Sequence, residues 1–330
     1  MVMLSENRPL VAYISAASHS GSTLLAMLLN AHDDVCTVGE LKLGNLGNAS
    51  VYRCSCRSLI NDCTFWNSVA DRMNRHGGSF AICDSGTDLN AVQSRYARAL
   101  LKPLCRSPAG ELVRDGLLAL SPAWRKYLPA WERRNKDLVE AVASVSGARV
   151  IVDSSKTGLR LKYLSRIPDL QVKVIRLVRD GSAVALTYMD ADNFADARHP
   201  SLRGGGSGKR VTKKLDMRRS AEEWRRSNEE AENVTGIVGS ENVIQVHYES
   251  LCSDPGRTLN EIAAFLGLET GPDFSRFRDF EHHVVGNGMR LDDSNEIVLD
   301  ERWRNVLQSD DLDTFGRVAG DLNALYGYSA

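Results

Sequence analysis

A chain of 330 residues, 43% hydrophobic and 25% charged, can build a sizeable core in one large α/β domain or two smaller ones. A formal net charge of −1 excludes a global field that recruits nucleic acid or an anionic membrane, so any anion site must be local. No apolar run reaches the ~18 residues of a spanning helix, and the short apolar run 10–14 has no basic segment before it and no convincing cleavage signal after it; a cytoplasmic protein without a membrane partner is expected.

Residues 10–14 (Leu-Val-Ala-Tyr-Ile) read as a buried strand and residues 22–30 as a helix, joined by the small-residue loop 15–21. Strand, loop and helix in that order open a parallel α/β sheet. Residues 42–145 differ in character: Gly, Cys and Asn come first, then helix-like stretches at 89–101 and 131–143, separated by Pro103, Pro108, Pro122 and Pro129. This segment reads as a mostly helical insertion. Strand signals return at 149–152, 172–178 and 242–246, with helical patterns at 159–166, 182–190 and 216–235 between and before them. Residues 191–215 hold a glycine-rich run, 204–208, followed by Lys209, Arg210, Lys213 and Lys214; a mobile solvated loop or a lid over an anionic ligand would both read this way.

Seven cysteines are present, and five of them (Cys36, Cys54, Cys56, Cys63, Cys83) fall in one window. Zinc could take three thiolates and a fourth ligand such as His76, but the spacing lacks paired C-x-x-C knuckles. Buried reduced thiols or a disulfide are the favoured expectation, with no metal and well under one zinc per chain.

The segment Ser18-His-Ser-Gly-Ser-Thr-Leu-Leu25 lies at a strand-to-helix junction, where free N–H groups and the helix dipole favour an anion. Gly21 allows close backbone approach to a phosphate, and Ser20, Ser22 and Thr23 add hydroxyl donors. Against the Walker pattern Gly21 and Thr23 align, but Ser22 stands where the lysine belongs and position 16 is not glycine. A kinase or ATPase needs that lysine and a metal to neutralise phosphates. A sulfuryl group carries less charge. An ordinary Ser-rich helix cap would share the same composition.

The loop resembles the 5′-phosphosulfate loop of sulfotransferases that use 3′-phosphoadenosine 5′-phosphosulfate (PAPS), with His19 where lysine or arginine is common. Further along, Arg179 ends a strand and Thr187 follows eight residues later, similar to that family's 3′-phosphate site. The stretch His283-Val-Val-Gly-Asn-Gly-Met-Arg290 resembles its late cofactor loop, through Gly286, Asn287 and Arg290. The tail from Asp300-Glu-Arg-Trp303 to Tyr328 resembles its closing helices. The likeness touches about 10–40, 150–190 and 240–330.

The resemblance implies a single three-layer α/β domain with a P-loop-like parallel β-sheet flanked by helices, with 42–145 and 191–215 building the acceptor pocket. It implies PAPS as co-substrate, no required metal, and a hydroxyl-bearing acceptor: a small molecule, carbohydrate or tyrosyl group. Cofactor contacts would come from Ser18, His19, Ser20, Gly21, Ser22, Thr23, Arg179, Thr187, Gly286, Asn287 and Arg290. Glu40, in a Gly-Glu pair like that of tyrosylprotein and some carbohydrate sulfotransferases, would be the general base; Lys156 and His19 would stabilise developing charge. Asp153 and Ser155 are candidates to orient Lys156. His247, His199 and His32 are less persuasive bases. Aromatics of the insertion (Tyr52, Phe65, Trp66, Trp124, Tyr127, Trp131) read as core. Two other readings stay open: a P-loop kinase or NTPase, with Asp153 as its metal-binding carboxylate, and a catalytically inactive nucleotide-binding interaction protein.

Overall fold

In the computed structural model β1 (Leu10–Ala16) is buried from end to end. The reason lies in its place: it pairs on both edges and is covered on both faces, so its sequence is a continuous apolar run rather than an alternating one. The structure describes residues 8–43, 46, 48–75, 79–102, 107–194, 197, 199–206 and 214–328. After β1 come α1 (Ser22–Leu29), β2 (Val35–Thr37), α2 (Thr64–Asn74), α3 (Arg95–Leu100), α4 (Pro108–Ala119) and α5 (Pro122–Ser146). Then follow β3 (Val150–Lys156), α6 (Gly158–Leu164), β4 (Gln171–Val178), α7 (Gly181–Met189) and the short turns α8 (Ala191–Phe194) and α9 (Arg203–Gly206). The chain closes with α10 (Met217–Val238), β5 (Val243–His247), α11 (Tyr248–Ser253), α12 (Pro255–Leu266), α13 (Trp303–Val306) and α14 (Ser309–Leu325).

The five strands form one parallel sheet in the order β2-β3-β1-β4-β5. Successive side chains of β1 point to opposite faces. Val11 and Tyr13 join the core containing Val139 and Val142 of α5 and Leu159 and Leu161 of α6. Ala12 and Ile14 join the other core, with Leu25 and Leu28 of α1 and Ile262 of α12. The result is the three-layer α/β architecture expected. From β1 the chain runs to the edge strand β2, returns to β3 and then crosses β1 to reach β4 and β5. A crevice opens beyond the carboxyl ends of β1, β3 and β4, the usual ligand position in such sheets.

Three details depart from expectation. The edge strand β2 was not anticipated; three residues carry too little periodicity to stand out. The helix expected over 89–101 is a single turn, Leu89–Ala91, followed by α3. Pro108 and Pro122 begin helices, where a missing N–H costs nothing, but Pro129 lies inside α5 and does not separate two helices. The buried Trp124, Trp131, Leu138 and Val142 of α5 anchor it despite one lost backbone bond. Pro103, Lys209, Arg210 and Lys213 lie outside the described residues, and so does His76. No helix among the described residues is long and apolar enough to cross a membrane.

Candidate active site

A cavity of about 1200 Å3 lies at the carboxyl edge of the sheet. Residues 18, 19 and 21–23 of the first loop line it together with Glu40, Lys42, Lys156, Arg179, Gly286 and Asn287. Thus segments far apart in sequence meet where β1, β3 and β4 end.

The first loop is built for close approach. Gly21 caps α1 in the left-handed conformation, φ 88°, and no side chain caps the helix. An ordinary Ser-capped helix would have its first amides satisfied by a hydroxyl; here no side chain caps them, and residues 21–24 line the cavity. A Cβ at Gly21 would stand 2.4 Å from the Tyr248 ring, so only glycine fits. His19 is also left-handed, φ 67°, and its ring meets Tyr188 edge-on at 5.1 Å. Ser20 is buried, and its hydroxyl has no hydrogen-bond partner among the described residues.

Glu40 and Lys156 form the chemical centre of the cavity. The ammonium of Lys156 donates to Glu40 Oε1 at 2.6 Å, and Lys42 pairs with Oε2 at 2.9 Å. Burial opposes the charged carboxylate, but the two lysines outweigh it and hold Glu40 down at about 2. Lys156 reaches this position because β3 carries one extra residue against β1: Tyr13 pairs with Asp153 and Ser15 with Lys156. The backbone of Lys156 is left-handed, φ 68°, a conformation a non-glycine residue adopts only when its surroundings impose it.

Asp153 does that imposing. Fully buried, it receives Arg160 Nε at 2.9 Å, the backbone N–H of Ser155 at 2.9 Å and that of Leu41 at 3.2 Å. Ser155 Oγ donates to Asp153 at 2.5 Å and accepts the N–H of Lys42 at 3.0 Å. Both sides of the Glu40–Lys156 pair are therefore tied to one carboxylate. Asp153 is not among the cavity-lining residues, which argues against its use as a metal-binding carboxylate.

Gly39 fixes the other side. It forms a parallel bridge with Val285, and a Cβ there would lie 2.0 Å from the Val285 carbonyl oxygen. This contact brings the late loop, with Gly286 and Asn287, against Glu40. Tyr52 pins the loop further, accepting the Gly286 N–H at 2.8 Å through its hydroxyl. Unlike the other insertion aromatics, Tyr52 lines the cavity.

Arg179 is buried at the cavity wall. It donates to the His19 carbonyl at 2.8 Å and to Asp300 Oδ2 at 3.2 Å, and stacks over Tyr248 at 4.4 Å. Its Nε is without a partner among the described residues. Burial would raise the Asp300 carboxyl, yet Arg302 and Arg179 bring it to about 2.

Besides Ser20, which is not among the lining residues, two expected cofactor residues are placed elsewhere. Thr187 is not among the residues lining the cavity; it is buried within α7, where its hydroxyl donates to the Ala183 carbonyl at 3.1 Å. Arg290 braces the late loop from behind, donating to the carbonyls of Gly286 at 2.6 Å, Asn287 at 2.9 Å and Arg53. His247 bonds Tyr328 at 3.1 Å, and His199 bonds Ser201 at 2.7 Å; neither lines the cavity. Sequence reasoning missed Lys42, Tyr188 and Arg302 as cavity residues. Lys42 could have been found, standing two residues after Glu40. Of the segment 191–215, Ala191, Phe194, Gly204, Gly205 and Leu215 also line the cavity.

A family model described as "Sulfotransferase family" matches residues 111–272, a stretch that includes Lys156 and Arg179. Among solved structures, the sulfotransferase domain from the curacin biosynthetic pathway aligns with TM-score 0.51 and 15% identity, over 98% of this chain and 99% of its own. The sulfotransferase domain of the Synechococcus PCC 7002 olefin synthase aligns at TM-score 0.46 and 19% identity, over 99% of this chain and 98% of its own. The sulfotransferase STF9 from Mycobacterium avium aligns at 0.44 and 12%, over 94% of this chain and 77% of its own. A search of curated proteins finds no significant match. The family match spans residues 111–272, just under half of the chain, and supports a sulfotransferase assignment, while the first structural likeness speaks for a common fold.

Proposed function

We propose that this chain transfers a sulfuryl group from PAPS to an acceptor hydroxyl by in-line displacement, with Glu40 as general base. The observation that carries the reading is the Glu40–Lys156 pair facing an uncapped helix N-terminus across one cavity. PAPS, when bound, supplies an activated sulfuryl group and a phosphoadenosine leaving group. The first-turn amides of α1 and the hydroxyls of Ser20, Ser22 and Thr23 would hold the 5′ anion, in keeping with the partnerless Ser20 hydroxyl.

Lys156 would turn from Glu40 toward the oxygens on which charge grows, a fixed cation already at the site. Loss of that pair would release Glu40 from the field that holds it acidic. The freed carboxylate would accept the acceptor's proton as oxygen attacks sulfur. Lys42 keeps Glu40 oriented throughout. His19 would face the 5′-phosphate of the leaving group. Arg179 would take the 3′-phosphate only by exchanging Asp300 for it, because that carboxylate holds Nη2 in the unliganded site. Gly286 and Asn287 would close over the nucleotide, while Thr187 and Arg290 support structure rather than contact it. The acceptor is a hydroxyl-bearing molecule whose class the pocket does not dictate. The kinase reading is disfavoured by the missing Walker lysine and the engagement of Asp153 with Arg160.

The test is transfer of labelled sulfate from PAPS to a panel of phenols, sugars and tyrosyl peptides, with Lys156→Ala beside wild type. Wild type should label at least one class, and the variant should lose kcat far more than donor affinity, since its charge is needed mainly in transfer. Intact kcat with collapsed donor binding would make Lys156 a binding residue only.

A further inference from the structure

Cys54, Cys56, Cys63 and His283 place three sulfurs and one ring nitrogen within 4.8 Å of one another. Zinc bonds thiolate at about 2.3 Å and imidazole at about 2.0–2.1 Å, so the edges of its tetrahedron measure about 3.5–3.8 Å. The edges here are 3.7 Å from Cys56 to Cys63, 3.4 Å from Cys63 to His283 Nδ1 and 3.9 Å from Cys54 to His283 Nδ1. None of the six cysteines described is in a disulfide. Three thiols plus one imidazole make a complete structural zinc set, with no position left for substrate.

The surrounding residues are arranged to hold those ligands. Cys54 and Cys56 ride a tight turn in which Cys54 N–H donates to Ser58 at 3.0 Å and Arg57 N–H donates back to Cys54 at 2.9 Å. Ser55, between the two cysteines, donates through its hydroxyl to the His282 carbonyl at 2.6 Å and accepts the Val284 N–H at 2.7 Å. It thereby brackets His283 from both sides. Trp66 donates to the His283 carbonyl at 3.0 Å, and Phe65 stacks on the imidazole at 4.3 Å. The second ring nitrogen lies 3.3 Å from Glu281 Oε1. A carboxylate behind a metal-bound imidazole fixes its tautomer and strengthens the ligand.

We propose that Cys54, Cys56, Cys63 and His283 form a structural zinc centre that clasps the turn 53–59 to the late loop 281–288. Zinc binding would displace the thiol protons to solvent, with no redox change. The clasp bears on the active cavity through the chain itself: Val284 and Val285 follow His283 directly, and Val285 pairs with Gly39 beside Glu40. The proposal replaces the favoured expectation, drawn from spacing alone, of reduced thiols or a disulfide without metal, and it takes His283 as fourth ligand where spacing had offered His76. It does not depend on the identity of the sulfuryl donor.

The full-length chain, purified under reductant and dialysed after incubation with zinc alone, should carry about one zinc per chain by elemental mass spectrometry. Cys83→Ser, outside the cluster, should keep it; Cys63→Ser and His283→Ala should lose most of it. Chelation of wild type should lower Tm by roughly 5–10 °C. Zinc below about a tenth of an equivalent in wild type, or full zinc in both ligand variants, would overturn the proposal. Should those variants fail to fold, cobalt-substituted wild type decides. Thiolate-to-cobalt charge transfer with tetrahedral ligand-field bands supports the site, and their absence refutes it.

Discussion

Glu40 is a carboxylate whose acidity the neighbouring lysines control. Its value of about 2 lies well below the ordinary one of about 4.3, because Lys156 and Lys42 outweigh its burial. A depressed carboxylate contributes stability that is complete above about pH 4.3 and fades as pH falls toward its folded value. The same shift predicts the rate profile. The free enzyme governs kcat/KM, so Glu40 should impose no acid limb between about pH 7 and about pH 4. The loaded enzyme governs kcat, and there the proposed mechanism diverts Lys156 to the sulfuryl oxygens; the limb should then move up toward the ordinary carboxylate value. Glu40→Gln should abolish that limb and lower kcat by roughly 10²–10⁴ while sparing donor affinity. Activity within a few-fold of wild type, with the acid limb of kcat intact, would remove Glu40 as base and leave His19 as the candidate on the cavity wall.

At the scale of elements, the close contact between the segment carrying Glu40 and the late loop is set by Gly39. Its φ of 79° and the 2.0 Å approach of a Cβ to Val285 make Gly39→Ala a clash with backbone, which cannot rotate away. That variant should lose activity more than tenfold and several degrees of Tm, while Gly116→Ala, where a Cβ meets nothing within 4 Å, should leave both near wild type or slightly raise Tm. Equal behaviour of the two variants would contradict the packing argument. Much at this scale was legible beforehand. The loop at 18–23 declared itself by small residues between an apolar strand and a helix, and Arg179 and Lys156 by their position at strand ends. What was illegible had a physical cause each time. Residues 181–187 of α7 are all buried, so composition did not reveal which face of the helix meets the cavity, and Thr187 proved to face the core. Arg290 looked like an anion ligand because guanidinium serves carbonyl oxygens as readily as phosphate. His283 pairs with Cys63 across 220 positions, a contact no local spacing encodes. Pro129 marks a boundary by local rule, yet a buried apolar face continued the helix through it.

For the whole molecule, one parallel sheet gathers Glu40, Lys156 and the loop 18–23 at a single edge, with a near-neutral chain around them. The central claim is that this edge binds a 3′-phosphoadenosine nucleotide without a metal in the reaction. Calorimetric titration with 3′-phosphoadenosine 5′-phosphate in magnesium-free buffer tests it most directly, with adenosine 5′-monophosphate and magnesium–ATP as comparators. The account predicts one site per chain for the bisphosphate, much weaker binding of both comparators, and a loss of about 1.5–3 kcal/mol in Arg179→Ala that is largely absent for the monophosphate. Tight binding of magnesium–ATP with no heat from the bisphosphate would contradict it and return the cavity to a phosphotransferase.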